Sequence, residues 1–344
     1  MTIGTFDTAV LNRVVDNLDQ PASFLLDLAF REEQTETSEE IHFDVESDKP
    51  RITPFVHPMR AGKVVNDQGF ETNSFRPAYA KDKRVFDPSG PLKRAVGEQI
   101  GGTLSPEERR SRQVRASIDD QLRMLTRREE VMAAEALVSG KVTVKGDGYP
   151  EAIVDFQRDA SLDIALTGAN LWSDASSNPM DDVEEWAGLI QSASGAVGTT
   201  VVMDPLAWRI ARAKDSFTKL LDLRRGSTAD GEIGPINRGQ RKARRVATAG
   251  DFDFWVYQDT YVDPIDGATK KLIPDNTAMV LDPIEIMGVR AYGAIRDEEA
   301  GFQARRFFSK SWAEQDPAVR YLLLQSAPLV VPYRVNASLT ASVA

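Results

Sequence analysis

Cysteine is absent from these 344 residues, so neither disulfides nor thiolate metal sites are available. That fits a reducing compartment. Histidine is nearly absent too. Any Ser-His-Asp or metal–histidine site would have to use His42 or His57, and neither sits in a motif such as His-Glu-x-x-His. No uninterrupted apolar run approaches the roughly 20 residues of a membrane helix. The stretch from Met1 to Phe30 lacks a basic start followed by an apolar core, which argues against a secretory signal. Without that route the Asn336-Ala337-Ser338 triplet reads as a chance match to a glycosylation acceptor. Basic charge is in deficit: 42 Lys and Arg against 52 Asp and Glu give a net charge of −10. Broad attachment to DNA needs many phosphate-neutralising cations, so the balance argues against it and suits solubility at high concentration.

Nucleotide signals are missing as well. Gly62-Lys63 and Gly140-Lys141 lack the spaced upstream glycine and the downstream Ser or Thr of a phosphate loop. Gly288-Val289-Arg290-Ala291-Tyr292-Gly293 lacks the middle glycine and the preceding βαβ setting of a dinucleotide fingerprint. There is no internal repeat and no low-complexity segment.

What is present is a 42% hydrophobic chain, enough for a sizeable core in one large or two linked domains. Residues 1 to 33 read as a polar arm with two amphipathic pieces, one of them Val10, Leu11, Val14, Val15 and Leu18. The other, Phe24-Leu25-Leu26-Asp27-Leu28-Ala29-Phe30, is too apolar to stay in water. It either docks on a neighbour or packs on its own domain. Glu39 to Val45 alternates like a strand with one wet face. Between Arg60 and Asp87 the sequence is polar and turn-rich, and it reads as a protruding two-stranded loop that packs on another subunit.

The strongest local signal is Ser105-Pro106-Glu107-Glu108, with Ser at an N-cap, Pro at the first helical position and Glu completing a capping box. Val114, Ile118, Leu122, Leu125, Met132 and Ala136 follow at helical spacing, interrupted at Glu129, and Gly140 is a natural C-cap. The implied helix over 106–138 is ~50 Å long, a strut with one narrow apolar stripe. A hairpin follows around Gly146-Asp147-Gly148. Beyond a polar linker the pattern alternates helix and strand. Val183, Trp186, Ala187 and Ile190 share one helical face, and Asp204-Pro205 opens a second helix. Thr199–Met203, Phe252–Tyr257 and Ala278–Leu281 read as strands of an α/β or α+β unit.

Acidic clusters at Asp181-Asp182-Val183-Glu184-Glu185 and Asp297-Glu298-Glu299 could do acid–base work. The first opens a helix, where negative charge complements the dipole, so a structural role fits better. The most basic stretch runs from Arg224 and Arg225 through Arg238, Arg241, Lys242, Arg244 and Arg245. It has no interleaved aromatic to stack on bases, so pairing with carboxylates of a neighbouring copy is the better reading.

Five blocks occur in an order that resembles the lambda-like phage major capsid proteins, the major capsid protein E family. They are Phe24 to Glu32, Leu221-Asp222-Leu223-Arg224-Arg225-Gly226-Ser227, Pro274-Asp275-Asn276-Thr277, Arg290 to Asp297, and the closing run from Asp316 to Pro332 with its Gln325-Ser326-Ala327-Pro328-Leu329 segment. The resemblance implies an α+β tailed-phage capsid fold of the Hong Kong ninety-seven type. It divides the chain into an N-terminal arm (1–34), an extended loop (45–90), a peripheral domain (35–44, 91–180 and 311–344, with a spine helix at about 104–140) and an axial domain (181–310). It implies a non-enzymatic shell protein without cofactors, assembled from hexamers and pentamers in the bacterial cytoplasm into the virion capsid. DNA would be enclosed without sequence-specific binding and no membrane would be involved. A decoration protein, a scaffold or protease and a portal are the implied partners. The loop lysines Lys63, Lys81 and Lys83 leave an isopeptide cross-link chemically open. Expected inter-subunit contacts are Arg224, Arg225, Arg60, Lys63, Arg76, Phe24 and Phe30. Two rival readings are an encapsulin-type compartment and a soluble α/β hydrolase using Asp181, Asp182 or Asp297 in a pocket.

Overall fold

The computed structural model describes residues 8, 11–12, 14, 23–38, 40–46, 53–59, 61, 70–90, 104–146, 148–217, 243–316 and 318–344. Its first helix, α1, is Phe24–Ala29. The second, α2, is the long helix Pro106–Ser139, 34 residues, one residue longer than the sequence predicts. Both expected caps are made. The Glu108 amide donates to the Ser105 hydroxyl at 3.2 Å, and the Ser105 amide donates to the Glu108 carboxylate at 2.7 Å. Gly140 ends the helix in the left-handed region at φ 66°.

α2 is amphipathic in two registers. Its first half sets Val114, Ile118, Leu122 and Leu125 against Leu322, Leu324, Phe86 and Leu11. Its second half, from Val131 to Leu137, enters a larger core that includes α1 and the main sheet. One helix thus joins two hydrophobic clusters.

The main sheet has six strands in the order Asp163–Ala165, Ser338–Ser342, Thr277–Leu281, Thr200–Met203, Phe252–Tyr257 and Ala243–Ala249. The two central strands, Thr200–Met203 and Thr277–Leu281, are buried at every position. That explains their continuous rather than alternating apolar sequence. Helix α3 (Pro179–Ser194) buries Val183, Trp186 and Ile190, as its periodicity predicts. Helix α4 (Pro205–Ala211) is capped by Asp204, whose carboxylate accepts from the amides of Leu206 and Ala207.

The closing run is not one strand. Arg320–Ser326 lies between Ala80–Phe86 and Phe308–Ala313 in a three-stranded antiparallel sheet. Pro328–Pro332 pairs instead with Gly288–Tyr292 in a second three-stranded sheet. Pro328 has no N–H to continue a ladder, so the chain changes sheets there. The tail then supplies Ser338–Ser342 to the main sheet beside Thr277–Leu281. The expected protruding hairpin also pairs differently from its polar sequence. Phe70–Phe75 pairs with Ile41–Glu46, while Ala80–Phe86 joins the closing strand because Phe86 is drawn into the core over α2.

The Gly288–Tyr292 strand also pairs in parallel with Glu32–Thr35, which docks the segment after α1. Gly288 makes this possible. A Cβ at that position would sit 2.2 Å from the Ala29 carbonyl oxygen and 2.5 Å from the Phe30 ring. Gly288→Ala is therefore expected to destabilise the chain by about 3 kcal/mol, the scale of overpacking a closed core. Chemical denaturation measures this, and a variant of wild-type stability would show that the approach relaxes freely.

Candidate functional site

The polar centre of the molecule lies on α2, where Glu129 and Glu130 follow each other in an otherwise apolar stretch. Neighbouring helical residues point about 100° apart, so the two carboxylates serve different flanks. Both are buried, Glu129 fully and Glu130 at 4% exposure.

Glu130 reaches the start of α1. Its carboxylate accepts from the amides of Phe24 at 3.0 Å, Leu25 at 2.8 Å and Leu26 at 3.1 Å. These are the orphan donors of a helix N-terminus. Ser23, at the N-cap, makes no side-chain cap, so a residue more than a hundred positions away caps this helix. The Tyr257 hydroxyl donates a further bond at 2.9 Å, bringing the Phe252–Tyr257 strand to the same carboxylate. Burial raises the carboxyl above its ordinary value, and the four donors pull the other way without fully offsetting it. Burial, with the neighbouring Glu130 charge, drives the Tyr257 phenol well upward, so it stays a donor.

Glu129 faces the Gly288–Tyr292 strand. The Tyr292 hydroxyl donates to it at 3.0 Å, and Arg306 approaches its other oxygen at 3.5 Å. Glu33, just beyond α1, pairs with both Arg306 at 3.1 Å and Arg290 at 3.3 Å. Burial raises Glu129, opposed by the Arg306 charge. The two carboxylates thus tie the segment 24–33, residues 257–306 and α2 into one network. The hub fastens three parts of the chain to one another. In the sequence it shows only as the Glu129 interruption of the apolar stripe. The informative sign was a pair of consecutive acids at the edge of an alanine-rich helical face.

Of the expected contact residues, Phe24 and Phe30 are 4% and 0% exposed in the chain's own core, where Glu130 and Gly288 seat α1 against α2 and the sheet. Arg76 is exposed, with Glu40 4.0 Å away. Arg60, Lys63, Arg224 and Arg225 lie outside the described residues. The carboxylates of the hydrolase reading are held separately. Asp182 accepts from the Trp172 indole at 2.7 Å, while Asp297 is bound by Lys310 and Gln325. His42 is exposed on its strand, and His57 accepts from the Met59 amide at 3.2 Å. Among the described residues no helix is long and apolar enough to cross a membrane.

Three comparisons bear on this architecture. The family profile described as phage major capsid protein E matches residues 7–343. The major capsid protein of Escherichia phage lambda is 32% identical over 313 residues, covering 89% of each chain, and that of Escherichia phage N15 is 30% identical over 336 residues, covering 96% of each. In fold, the chain matches a protein assigned as the capsid protein of an E. coli CFT073 prophage, with a TM-score of 0.76 at 24% identity over 100% of both chains. The α+β architecture, with its long helix and closing strands, is the tailed-phage capsid fold of the Hong Kong ninety-seven type. This chain belongs to the phage major capsid protein E family.

Proposed function

We propose that copies of this chain assemble as hexamers and pentamers into the icosahedral head of a tailed phage and enclose its double-stranded DNA. The observation that carries this is the family match across residues 7–343, nearly the whole chain. The role is structural, as membership of a capsid protein family supports. Head-to-tail contacts close into rings when the rotation permits, and many modest contacts together hold a shell. Within it, residues 1–34 serve as the arm, 45–90 as the extended loop, 181–310 as the axial part, and 35–44, 91–180 and 311–344 as the peripheral part built on α2. The last strand, Ser338–Ser342, crosses from the peripheral group into the sheet of residues 200–281 and staples the two. Arg224, Arg225, Arg60, Lys63 and Arg76 are the proposed charged contacts between neighbours. The net charge of −10 keeps the packaged genome from adhering to the wall. A decoration protein reinforces the shell, and a scaffold or protease and a portal act during assembly in the host cytoplasm.

Expression of the chain, followed by negative-stain microscopy and light scattering, tests the proposal. Shells, tubes or free hexamers are expected. A stable monomer at high concentration would count decisively against it.

A further inference from the structure

Three carboxylates share two guanidiniums where the strand Glu32–Thr35 lies on Gly288–Tyr292. Glu33 stands opposite Arg290 across that pairing. Its Oε1 takes Arg290 at 3.3 Å and Arg306 at 3.1 Å, so the docked strand already engages both cations. Glu129, 0% exposed, lies against the same site, and the cation beside it is again Arg306, at 3.5 Å. The charged and titratable groups facing Glu129 are Glu33 from the docked strand, Arg290 and Tyr292 from the strand beneath it, and Arg306. Glu130 is its neighbour on α2.

Full ionisation would put two anions on consecutive buried residues beside a guanidinium that Glu33 also holds. Like charges in a desolvated site do not all ionise together. Glu130 is ringed by donors, three amides and the Tyr257 hydroxyl, so a proton there would displace one of them. Glu129 is different. Its Oε2 is buried without a well-formed hydrogen bond, Arg306 standing off at 3.5 Å. Its Oε1 meets the Tyr292 hydroxyl at 3.0 Å, and a hydroxyl can turn to accept as well as donate. A protonated Glu129 thus donates from Oε1 to Tyr292 and leaves Oε2 as an acceptor toward Arg306. Burial also pushes this carboxyl upward, against the pull of the Arg306 charge.

We propose that Glu129 is a proton-binding site that latches the segment Phe24–Thr35 onto the rest of the chain. With the proton bound, Arg306 and Arg290 both serve Glu33 and the segment stays down. With the proton gone, Glu129 draws Arg306 to itself, repels Glu33, and the segment lifts, which lets water reach the new charge. The proton is held by the closed form and released by the open one. A carboxyl raised in the closed form contributes stability that is fully present below the ordinary glutamate value and is lost as pH rises through the raised one. The latch therefore opens toward alkaline pH. It works within a single chain, so it goes beyond the shell reading and does not depend on it.

Two measurements on the full chain test it. Infrared spectroscopy with isotope-labelled glutamate reads protonated carboxyls directly. At about pH 6, where ordinary glutamates are already ionised, the wild-type chain should show one protonated glutamate band, and Glu129→Gln should lack it. A wild-type chain with no such band, or a band that survives in Glu129→Gln, would overturn the proposal. Amide exchange of residues 32–36, corrected for its intrinsic pH dependence, reads the latch. From the ordinary glutamate value upward, opening should rise by about tenfold per pH unit and then level off. In Glu129→Gln, permanently neutral and of the same shape, opening should not vary with pH. The partly exposed Glu33 gives a second variant that leaves the core untouched: in Glu33→Gln, Arg306 is left to Glu129 and the levelling-off should move to lower pH. Opening independent of pH in the wild-type chain, or the same pH profile in all three proteins, would overturn the latch.

Discussion

Glu130→Ala is expected to cost this chain about 4 kcal/mol and to abolish assembly. The substitution strips the acceptor from three α1 amides and from the Tyr257 hydroxyl, all in a buried setting. Each unsatisfied buried group costs about 1–3 kcal/mol, and water entering the vacated volume recovers part of the total. Tyr257→Phe, which removes one bond and leaves the cap intact, is expected to cost only about 1 kcal/mol. Urea denaturation of the unassembled chain measures both. If the two variants lose equal stability, Glu130 does not act as the cap of α1. Amide exchange supplies a local readout: in Glu130→Ala the amides of residues 24–26 should lose protection first.

The second large effect is at Arg306, and its size depends on pH. Arg306→Met leaves Glu129 buried with no cation beside its outer oxygen. Breaking a buried pair from one side costs about 3–5 kcal/mol when the remaining group stays charged. Glu129 need not stay charged, because its folded value already lies above that of the unfolded chain. A raised carboxyl contributes stability that is fully present below the unfolded value and is lost as pH rises through the folded one. Without Arg306 the folded value climbs further, so the loss widens toward neutral pH. Arg306→Met is therefore expected to be close to wild type near pH 4.5 and to show its full deficit near pH 7.5. Thermal unfolding across that range checks it. A deficit independent of pH would mean that Arg306 acts through packing alone. Glu129→Gln in the same background should flatten the dependence.

Local order was written plainly in the chain. The capping box at Ser105, the stripe from Val114 to Ala136 and the stop at Gly140 define α2 to within one residue, because each is a short-range effect. The buried strands Thr200–Met203 and Thr277–Leu281 were legible as unbroken apolar runs. Long-range pairings were not. Whether Phe70–Phe75 meets Ile41–Glu46 or Ala80–Phe86 depends on which strand α2 can cover, and nothing in a local polar sequence encodes that. The split of the closing run at Pro328 was visible as a proline but not as a change of sheet. The Glu129–Glu130 hub was least legible. Its meaning lies in partners at 24–33, 257, 290–292 and 306, so sequence spacing could register it only as a flaw in an apolar stripe.

α2 is anchored in one cluster near Val114 to Leu125 and in another near Val131 to Leu137, with the carboxylate hub between the apolar halves. Such a helix behaves as a lever with its fulcrum off centre. At ~50 Å of length, each degree of tilt about one end displaces the other by about 1 Å. The Val131–Leu137 end is held by the carboxylate hub and by Arg158, which donates to the Leu137 and Val138 carbonyls, whereas the Val114–Leu125 end rests on a small apolar cluster with Gln121 tied to the Asp82 carbonyl and Asp120 to Arg84. Any tilt about the hub therefore carries the Ala80–Phe86 strand, tied to the far end of the helix, along with it.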